Sequence, residues 1–363
     1  MVIGFDVTIA ARIPTGVGVY ARELATALAS RAVTVHTWQR TLGRGGGRPR
    51  VLNATRLMSW FLVEVPRRVR RERVDVYHAM ASLGALRPGC SSVMSVQDAT
   101  LLTGRSHFGR VDRLYHRVFS VRAARRADAV IVPSASAGRD VASRYGIAEG
   151  RLHVICHGLS PRFRPASSAE RSAVLARLGL RAPYVLSIGV RIPRKNLERL
   201  LAALARLRGA GHREIQLAIA GPAGPGDEEI RAHISRRGLE ADVRWLGWIE
   251  DEDLPALYGG ALCLAYASLE EGFGMPILEA MACGTAVLTS DRSSMVEVAG
   301  KAALLVDPTS STAIADGLQR LAENAGLRED LIVRGLAHAA GFAWDKAAAE
   351  TEAVYRRVAR RSG

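Results

Sequence analysis

Two glutamates, Glu271 and Glu279, are the residues whose type and spacing most directly suggest chemistry in this chain. The stretch between them contains Gly272 and Gly274, and it follows an apolar run. Glycines let a backbone approach a ligand closely, and the N–H groups that open a helix suit a diphosphate. A carboxylate one to two turns into that helix could accept hydrogen bonds from ribose hydroxyls. The alternative is a loop carboxylate followed by a solvated helix residue.

Two cations upstream, Arg194 and Lys195, could neutralise such a diphosphate. They follow the apolar run YVLSIG and stand directly before a predicted helix start at Asn196. A guanidinium and an ammonium would stabilise the negative charge that grows on a diphosphate when its bond to a sugar breaks. The chain contains only three lysines, and one of them stands here. A solvated basic turn in an arginine-rich chain is the competing interpretation.

These segments resemble a known enzyme family. SLEEGFGMPILEAMACG is similar to the signature of glycosyltransferase family 4, the group 1 retaining glycosyltransferases, and YVLSIGVRIPRKNLERLL is similar to the segment of that family that contacts the donor diphosphate. The resemblance implies that Glu279 binds the ribose and that Arg194 and Lys195 bind the diphosphate. Donor contacts also fall on the loop between the glutamates, at Glu271, Gly272, Phe273, Gly274 and Met275. The implied catalytic residues are Arg194, Lys195 and Glu271.

The N-terminal segment GFDVTIAARIPTGVGVYARELATAL resembles the opening strand, glycine-rich loop and first helix of the same family. Gly16 and Gly18 match the loop and are predicted to approach the donor, although a helix-capping turn would also use glycines. In SVQDATLLTG, Gln97-Asp98 stands where the family usually has His-Asp. Gln97 and Asp98 are therefore candidate contacts for sugar or acceptor. His78 is another, unless it is a satisfied histidine at a strand end.

Short apolar runs that alternate with helix-length segments must position these residues. The runs lie at 2–8, 33–38, 74–79, 92–99, 129–134 and 152–158, and again at 184–189, 216–221, 243–248, 261–266, 286–290 and 302–307. Continuous apolar strands separated by helices predict parallel sheets in doubly wound α/β domains. The resemblance implies the GT-B fold, in which two Rossmann-like domains face a central cleft.

The change of composition after residue 159 predicts the domain boundaries. We expect an N-terminal domain at 1–165, a linker at 166–183 and a C-terminal domain at 184–344. The resemblance implies that the first is the acceptor-side domain and that the second binds the nucleotide sugar. A C-terminal helix at 345–363 is expected to pack back toward the N-terminal domain.

Basic residues are concentrated in the first half of the chain. Residues 1–180 carry 28 arginines and 11 acidic residues, within a net charge of +15 for the whole chain. This asymmetry suggests an anionic partner, but no nucleic-acid motif is present and aromatics are only 6%. Trp60 and Phe61 precede a cluster of five arginines, Arg67, Arg68, Arg70, Arg71 and Arg73. This pattern suits peripheral contact with an anionic membrane, or a crossover helix with a solvated basic end.

The sequence predicts a cytoplasmic protein, peripheral at the inner membrane face if the basic segment binds lipid. It has no apolar run near the roughly 20 residues of a membrane span, and no leader pattern precedes the first strand. The four cysteines lack metal-ligand spacing. Asp251-x-Asp253 resembles a metal motif of another glycosyltransferase fold, but acidic residues before a helix complement its dipole. No cofactor and no metal are expected.

The predicted function is therefore transfer of a hexosyl unit, with retention, from a nucleoside diphosphate sugar to an acceptor hydroxyl. The donor would be GDP-mannose-like or a UDP-sugar, and the acceptor a glycan, a lipid-linked glycan or a small metabolite. Because Gln97 cannot titrate, a non-catalytic sugar-nucleotide-binding protein is an alternative. Another GT-B enzyme, such as a sugar phosphorylase, is a second alternative.

Overall fold

The computed structural model describes residues 1–8, 10, 16–40, 56–102 and 110–360, without the side chains of residues 101 and 110–117. The chain divides into two compact units, Met1–Gly158 with Ala343–Gly363, and Leu159–Phe342. Within the described residues, each unit is built on a six-stranded sheet whose paired strands are parallel. This confirms the two doubly wound parallel sheets predicted from the alternating apolar runs.

In the first unit the strands are ordered β2-β1-β3-β4-β5-β6. They are β1 (Val2–Asp6), β2 (Thr34–Trp38), β3 (Val76–Ala79), β4 (Ser91–Ser95), β5 (Ala129–Val132) and β6 (Leu152–Val154). The helices are α1 (Gly16–Ala29), α2 (Val65–Arg71) after a π-helical turn at Trp60–Glu64, α3 (Arg110–Arg126), α4 (Ala135–Tyr145) and the C-terminal α13 (Trp344–Ala359). Every residue of β5 is buried, as expected for a strand covered on both faces.

In the second unit the order is β12-β11-β10-β7-β8-β9. The strands are β7 (Tyr184–Ile188), β8 (Gln216–Ala220), β9 (Val243–Gly247), β10 (Cys263–Tyr266), β11 (Val287–Ser290) and β12 (Leu304–Val306). The helices are α5 (Ser168–Arg177), α6 (Leu197–Gly209), α7 (Asp227–Arg236), α8 (Leu254–Gly259), α9 (Met275–Ala282), α10 (Ser294–Ala299), α11 (Ser311–Glu323) and α12 (Ala325–Ala339). The loops after β7 and β10 carry the charged residues singled out above.

The segment expected to be a linker, residues 166–183, differs from that expectation. It contains α5, which begins with a capping box in which Ser167 and Glu170 satisfy each other's backbone N–H groups. Val174 of α5 packs with Ala166 and with Ala256 of α8. The segment therefore belongs to the second unit, which begins at Leu159.

The segment with Trp60 and Phe61 does not expose the aromatic anchor expected for a bilayer contact. The two side chains are only 1% and 6% exposed and belong to the core of the first unit. Trp60 Nε1 donates to the buried Asp6 carboxylate at 3.0 Å, and the Arg68 guanidinium lies 5.2 Å from the Trp60 ring centre. The arginines at the end of α2 are mostly exposed. Among the described helices, none has both the length and the apolar character needed to cross a membrane.

A buried hydrogen-bonded chain centred on His78 ties together four elements of the first unit. His78 Nδ1 lies 2.5 Å from the Tyr355 hydroxyl of α13, and Nε2 lies 2.8 Å from Ser95 Oγ of β4. Ser95 Oγ in turn lies 2.8 Å from the Tyr20 hydroxyl of α1. Burial lowers the pKa of His78 to about 3, so the imidazole is neutral in the folded protein.

This neutral histidine should make stability depend on pH. In the unfolded chain His78 is protonated below about pH 6.5, whereas in the folded protein it stays neutral down to about pH 3. Its contribution to the free energy of unfolding is therefore present above pH 6.5 and is lost as the pH falls toward 3. Between pH 7.5 and 5.5 the loss should be about 1.4 kcal/mol. Glutamine cannot titrate, so between these two pH values the free energy of unfolding of His78→Gln should fall by about 1.4 kcal/mol less than that of the wild type. Urea unfolding at the two pH values measures this difference. An unchanged pH slope would contradict the assignment.

Candidate functional site

The turn after β7 is held rigidly against two other loops of the second unit. Pro193–Lys195 form a 3₁₀ turn, and Asn196, with φ at 61°, ends it at the start of α6. The buried Asn196 amide donates to the carbonyls of Ala267, at 2.9 Å, and Pro308, at 2.7 Å. These bonds fix the turn to the loops after β10 and β12. The backbone that carries Arg194 and Lys195 is therefore fixed in position.

Both cations contact Glu271. Arg194 Nη1 donates to the Glu270 carbonyl at 3.1 Å and also bonds the Glu271 carboxylate. Lys195 Nζ lies 2.7 Å from Glu271 Oε1. Burial alone would raise the pKa of Glu271, but Arg194 and Lys195 outweigh it and lower the pKa to about 2. Glu271 is therefore ionised at neutral pH, and the three side chains together carry one net positive charge.

Tyr266, the last residue of β10, holds the lysine in place. Lys195 Nζ donates to the Tyr266 hydroxyl at 2.5 Å and lies 4.3 Å from the ring centre. Tyr266 is 4% exposed, so its ring is fixed by the core. The sequence interpretation did not single out this tyrosine. The available signal was its position, since it ends the apolar run before the glutamate loop.

The loop between the glutamates brings its backbone to the start of α9. Gly274 has φ at +111°, and a Cβ there would lie 3.2 Å from Ile277 Cδ1, so the position favours glycine. Phe273 is 4% exposed and packs in the core of the second unit. The Phe273 side chain is thus structural, and any ligand contact it makes would use its backbone. Gly272 is buried and Met275 half-buried.

Glu279, on α9, is half-buried rather than a solvated helix residue. Its Oε2 accepts a hydrogen bond from the Tyr258 hydroxyl of α8 at 2.6 Å. Burial raises the pKa of Glu279 to about 7, with a further contribution from Asp251, while Tyr258, Arg162 and Lys195 oppose the shift. The carboxyl therefore titrates near neutral pH, and Lys195 acts electrostatically on both glutamates.

The candidates from the first unit lie in different surroundings. Gly16 and Gly18 form the first turn of α1, while residues 11–15 of the predicted loop lie outside the described residues. Gln97 and Asp98 are half-buried after β4. Asp98 Oδ1 accepts from the N–H of Thr100 at 3.0 Å and from its hydroxyl at 2.5 Å, which starts a short 3₁₀ turn. Ligand contacts of Gly16, Gly18, Gln97 and Asp98 stay predictions.

His78, by contrast, does not fit the predicted contact with sugar or acceptor. The residue is 0% exposed, and both ring nitrogens are engaged by Tyr355 and Ser95. A side chain sealed in this way cannot reach a ligand without disrupting the core. This geometry fits the satisfied histidine at a strand end that the sequence left open as the alternative.

Two aspartates of the acidic run before α8 are paired with arginines. Asp251 bonds Arg162, and Asp253 bonds Arg177. In the part of the chain that the structure describes, no group of three or more His, Cys, Asp and Glu side chains could hold a metal ion. The partners of Asp251 and Asp253 that the structure shows are the arginines Arg162 and Arg177.

Comparisons with known proteins bear on this site. The family model described as "Glycosyl transferases group 1" matches residues 176–337, and that described as "Glycosyltransferase Family 4" matches residues 14–163. The first match covers Arg194, Lys195, Glu271 and Glu279.

Individual proteins are similar over part or all of the chain. The chain is 37% identical over 198 residues to an O-antigen chain mannosyltransferase B of Escherichia coli, covering 54% of this chain and 52% of the relative. It is 30% identical over 243 residues to an MMP alpha-(1->4)-mannosyltransferase of Mycolicibacterium hassiacum, which covers 65% of this chain and 56% of that relative. The chain thus spans about half the length of these relatives. Sucrose-phosphate synthase from Thermosynechococcus elongatus has a similar structure, with a TM-score of 0.82, 20% identity and 98% of each chain covered.

Proposed function

The chain belongs to the group 1 glycosyltransferases of family 4, and on this premise we propose that it moves a hexosyl unit from a nucleoside diphosphate sugar to an acceptor hydroxyl. Its fold is GT-B, with two six-stranded parallel sheets. The observation that carries the proposal is the cluster of two cations and two carboxylates in the second unit. Arg194 and Lys195 contact Glu271, and Lys195 also acts on Glu279.

Each member of the cluster has a proposed task. Arg194 and Lys195 bind the donor diphosphate and stabilise the negative charge that grows on it as the glycosidic bond breaks. Glu279 accepts hydrogen bonds from the ribose hydroxyls. Glu271, with the backbone of Gly272–Met275, positions the sugar. Transfer with retention lets the departing phosphate oxygen take the proton of the acceptor hydroxyl, which requires no titrating side chain at Gln97.

The donor we propose is GDP-mannose-like. Support comes from the mannosyltransferase names of two relatives and from the Pro-Arg-Lys-Asn turn at 193–196. The acceptor class is a glycan, a lipid-linked glycan or a small metabolite. Thermal shift against UDP-, GDP-, ADP- and dTDP-sugars should reveal the donor, because a ligand of the folded state raises its apparent stability.

Turnover separates this proposal from its rivals. With the selected donor and an acceptor panel, NMR of the product should give the anomeric configuration of the donor. Inversion would contradict the retaining mechanism. Tight donor binding without any transfer would favour a sugar-nucleotide-binding protein, and reversible release of sugar phosphate would favour a phosphorylase.

We further expect activity to persist in excess EDTA. Arg194 and Lys195 place two cations on one turn, and beside the ionised Glu271 they leave one net positive charge to stabilise the leaving diphosphate without a divalent cation. The measurement is the initial rate after extensive chelation, with a rate within about twofold of the untreated enzyme expected. Complete loss of activity that added Mg²⁺ or Mn²⁺ restores would contradict this assignment.

A further inference from the structure

Tyr258 contacts the proposed ribose-binding carboxylate from inside the second unit. The residue lies on α8 and is 0% exposed. Its hydroxyl donates to Glu279 Oε2 at 2.6 Å, and its ring meets Phe163 edge-on with centres 6.2 Å apart. Its carbonyl accepts from Thr285 Oγ1 at 2.7 Å. The phenol is therefore held by Glu279 and packed against Phe163, and the backbone of the residue is held by Thr285.

This hydrogen bond has two consequences for Glu279. First, it fixes the rotation of the carboxylate by engaging Oε2, so that Oε1 can accept from a ligand hydroxyl. Second, a donor bonded to the ionised form favours that form, and the Tyr258 bond counteracts the rise that burial causes in the pKa of Glu279. Burial, and then the negative charge of Glu279, raise the pKa of Tyr258 well above its usual value, so the phenol remains a donor.

We propose that Tyr258 is a positioning residue that orients Glu279 and keeps it a hydrogen-bond acceptor for the ribose of the donor. The inference rests on the proposed function, because it assigns a ribose to Glu279. Tyr258 acts through Glu279 and does not touch the substrate.

A matched pair of variants tests this role. Tyr258→Phe removes the hydroxyl that bonds Glu279. Tyr184→Phe removes an equally buried hydroxyl, which donates to the Leu257 carbonyl at 2.6 Å and not to Glu279. With GDP and UDP as probes in calorimetry at pH 7, we expect Tyr258→Phe to weaken binding about 5- to 20-fold and Tyr184→Phe to change it less than twofold.

The pH profile gives a readout that a general packing defect would not produce. Wild-type affinity should rise with pH through about 7 as Glu279 ionises, and in Tyr258→Phe this rise should move to higher pH. In steady state, the donor KM should increase more than kcat falls. In a Glu279→Ala background, Tyr258→Phe should cost little further affinity, because the side chain that accepts from the Tyr258 hydroxyl is gone.

The outcomes separate this inference from the proposed function. If Glu279→Ala weakens nucleotide binding but Tyr258→Phe binds like the wild type at every pH, the positioning role is wrong and the ribose site stands. If neither variant changes affinity, the ribose assignment itself fails. Should Tyr258→Phe unfold at a much lower temperature than the wild type, the double variant with Glu279→Ala decides. If the two substitutions then weaken nucleotide binding independently, the positioning role is wrong.

Discussion

Replacing Lys195 by alanine should lower kcat at least about 100-fold, the largest loss of activity that we expect from a single substitution. A cation that stabilises charge developing on the leaving group contributes most in the transition state, and removing such a contact costs about 3 kcal/mol or more. The Lys195 ammonium is already held by Glu271 Oε1 at 2.7 Å and by the Tyr266 hydroxyl at 2.5 Å. The measurement is single-turnover transfer at saturating donor.

The control must separate catalysis from folding. Removing Lys195 leaves the buried Glu271 with Arg194 as its remaining cation, and a buried charge that loses a partner can destabilise the protein. Thermal unfolding of the variant should therefore accompany the kinetics, and Lys195→Ala with Glu271→Gln removes both charges. Lys301→Ala changes an exposed lysine and should be silent. A folded Lys195→Ala enzyme with a near-normal rate would remove the diphosphate assignment.

Replacing Glu279 by alanine should weaken nucleoside diphosphate binding about 10- to 100-fold. Hydrogen bonds to a charged acceptor contribute about 1.5–3 kcal/mol, and the ribose diol would lose such an acceptor. The effect should appear in calorimetry with GDP or UDP alone, because neither the sugar nor the acceptor is needed for it. Glu329→Ala, on an exposed part of α12, is the matched control.

A 2′-deoxynucleotide tests the proposed contact between Glu279 and the ribose directly. On the wild type, the 2′-deoxy form of the nucleotide should bind more weakly than the ribose form, and on Glu279→Ala the two should bind alike. Because the substitution leaves the buried Tyr258 hydroxyl without its acceptor, unfolding should also be measured, with a loss of about 1–3 kcal/mol expected. A deoxy penalty that persists in the variant would move the ribose to another residue.

Both sheets and the location of the charged cluster could be predicted from the order of residues along the chain. Each of the twelve runs overlaps one strand. Strands buried on both faces, such as β5 and β10, are largely apolar, and such runs are visible locally in the sequence. Arg194 and Glu271 stand in the loops after β7 and β10, neighbouring strands of one parallel sheet. Their meeting follows from that topology.

The surroundings of single side chains were harder to predict from the sequence. Trp60 and Phe61, a candidate membrane anchor by pattern, belong to the core, and His78, a candidate ligand contact, is sealed between Ser95 and Tyr355. The partner of His78 on α13 lies 277 residues away in sequence, so no local pattern contains it. The expected linker likewise formed α5, whose burial depends on α8.

The sequence by itself determined which residues could do chemistry and at which strand ends they stand, since residue type, spacing and apolar periodicity are properties of the chain read in order. Only the tertiary structure decided what state those residues are in. Glu271 is held ionised by two cations, whereas burial raises the pKa of Glu279 to about 7 beside Tyr258. Two glutamates eight positions apart differ in this way because a pKa depends on burial and on neighbouring charges, which packing brings together from distant parts of the chain.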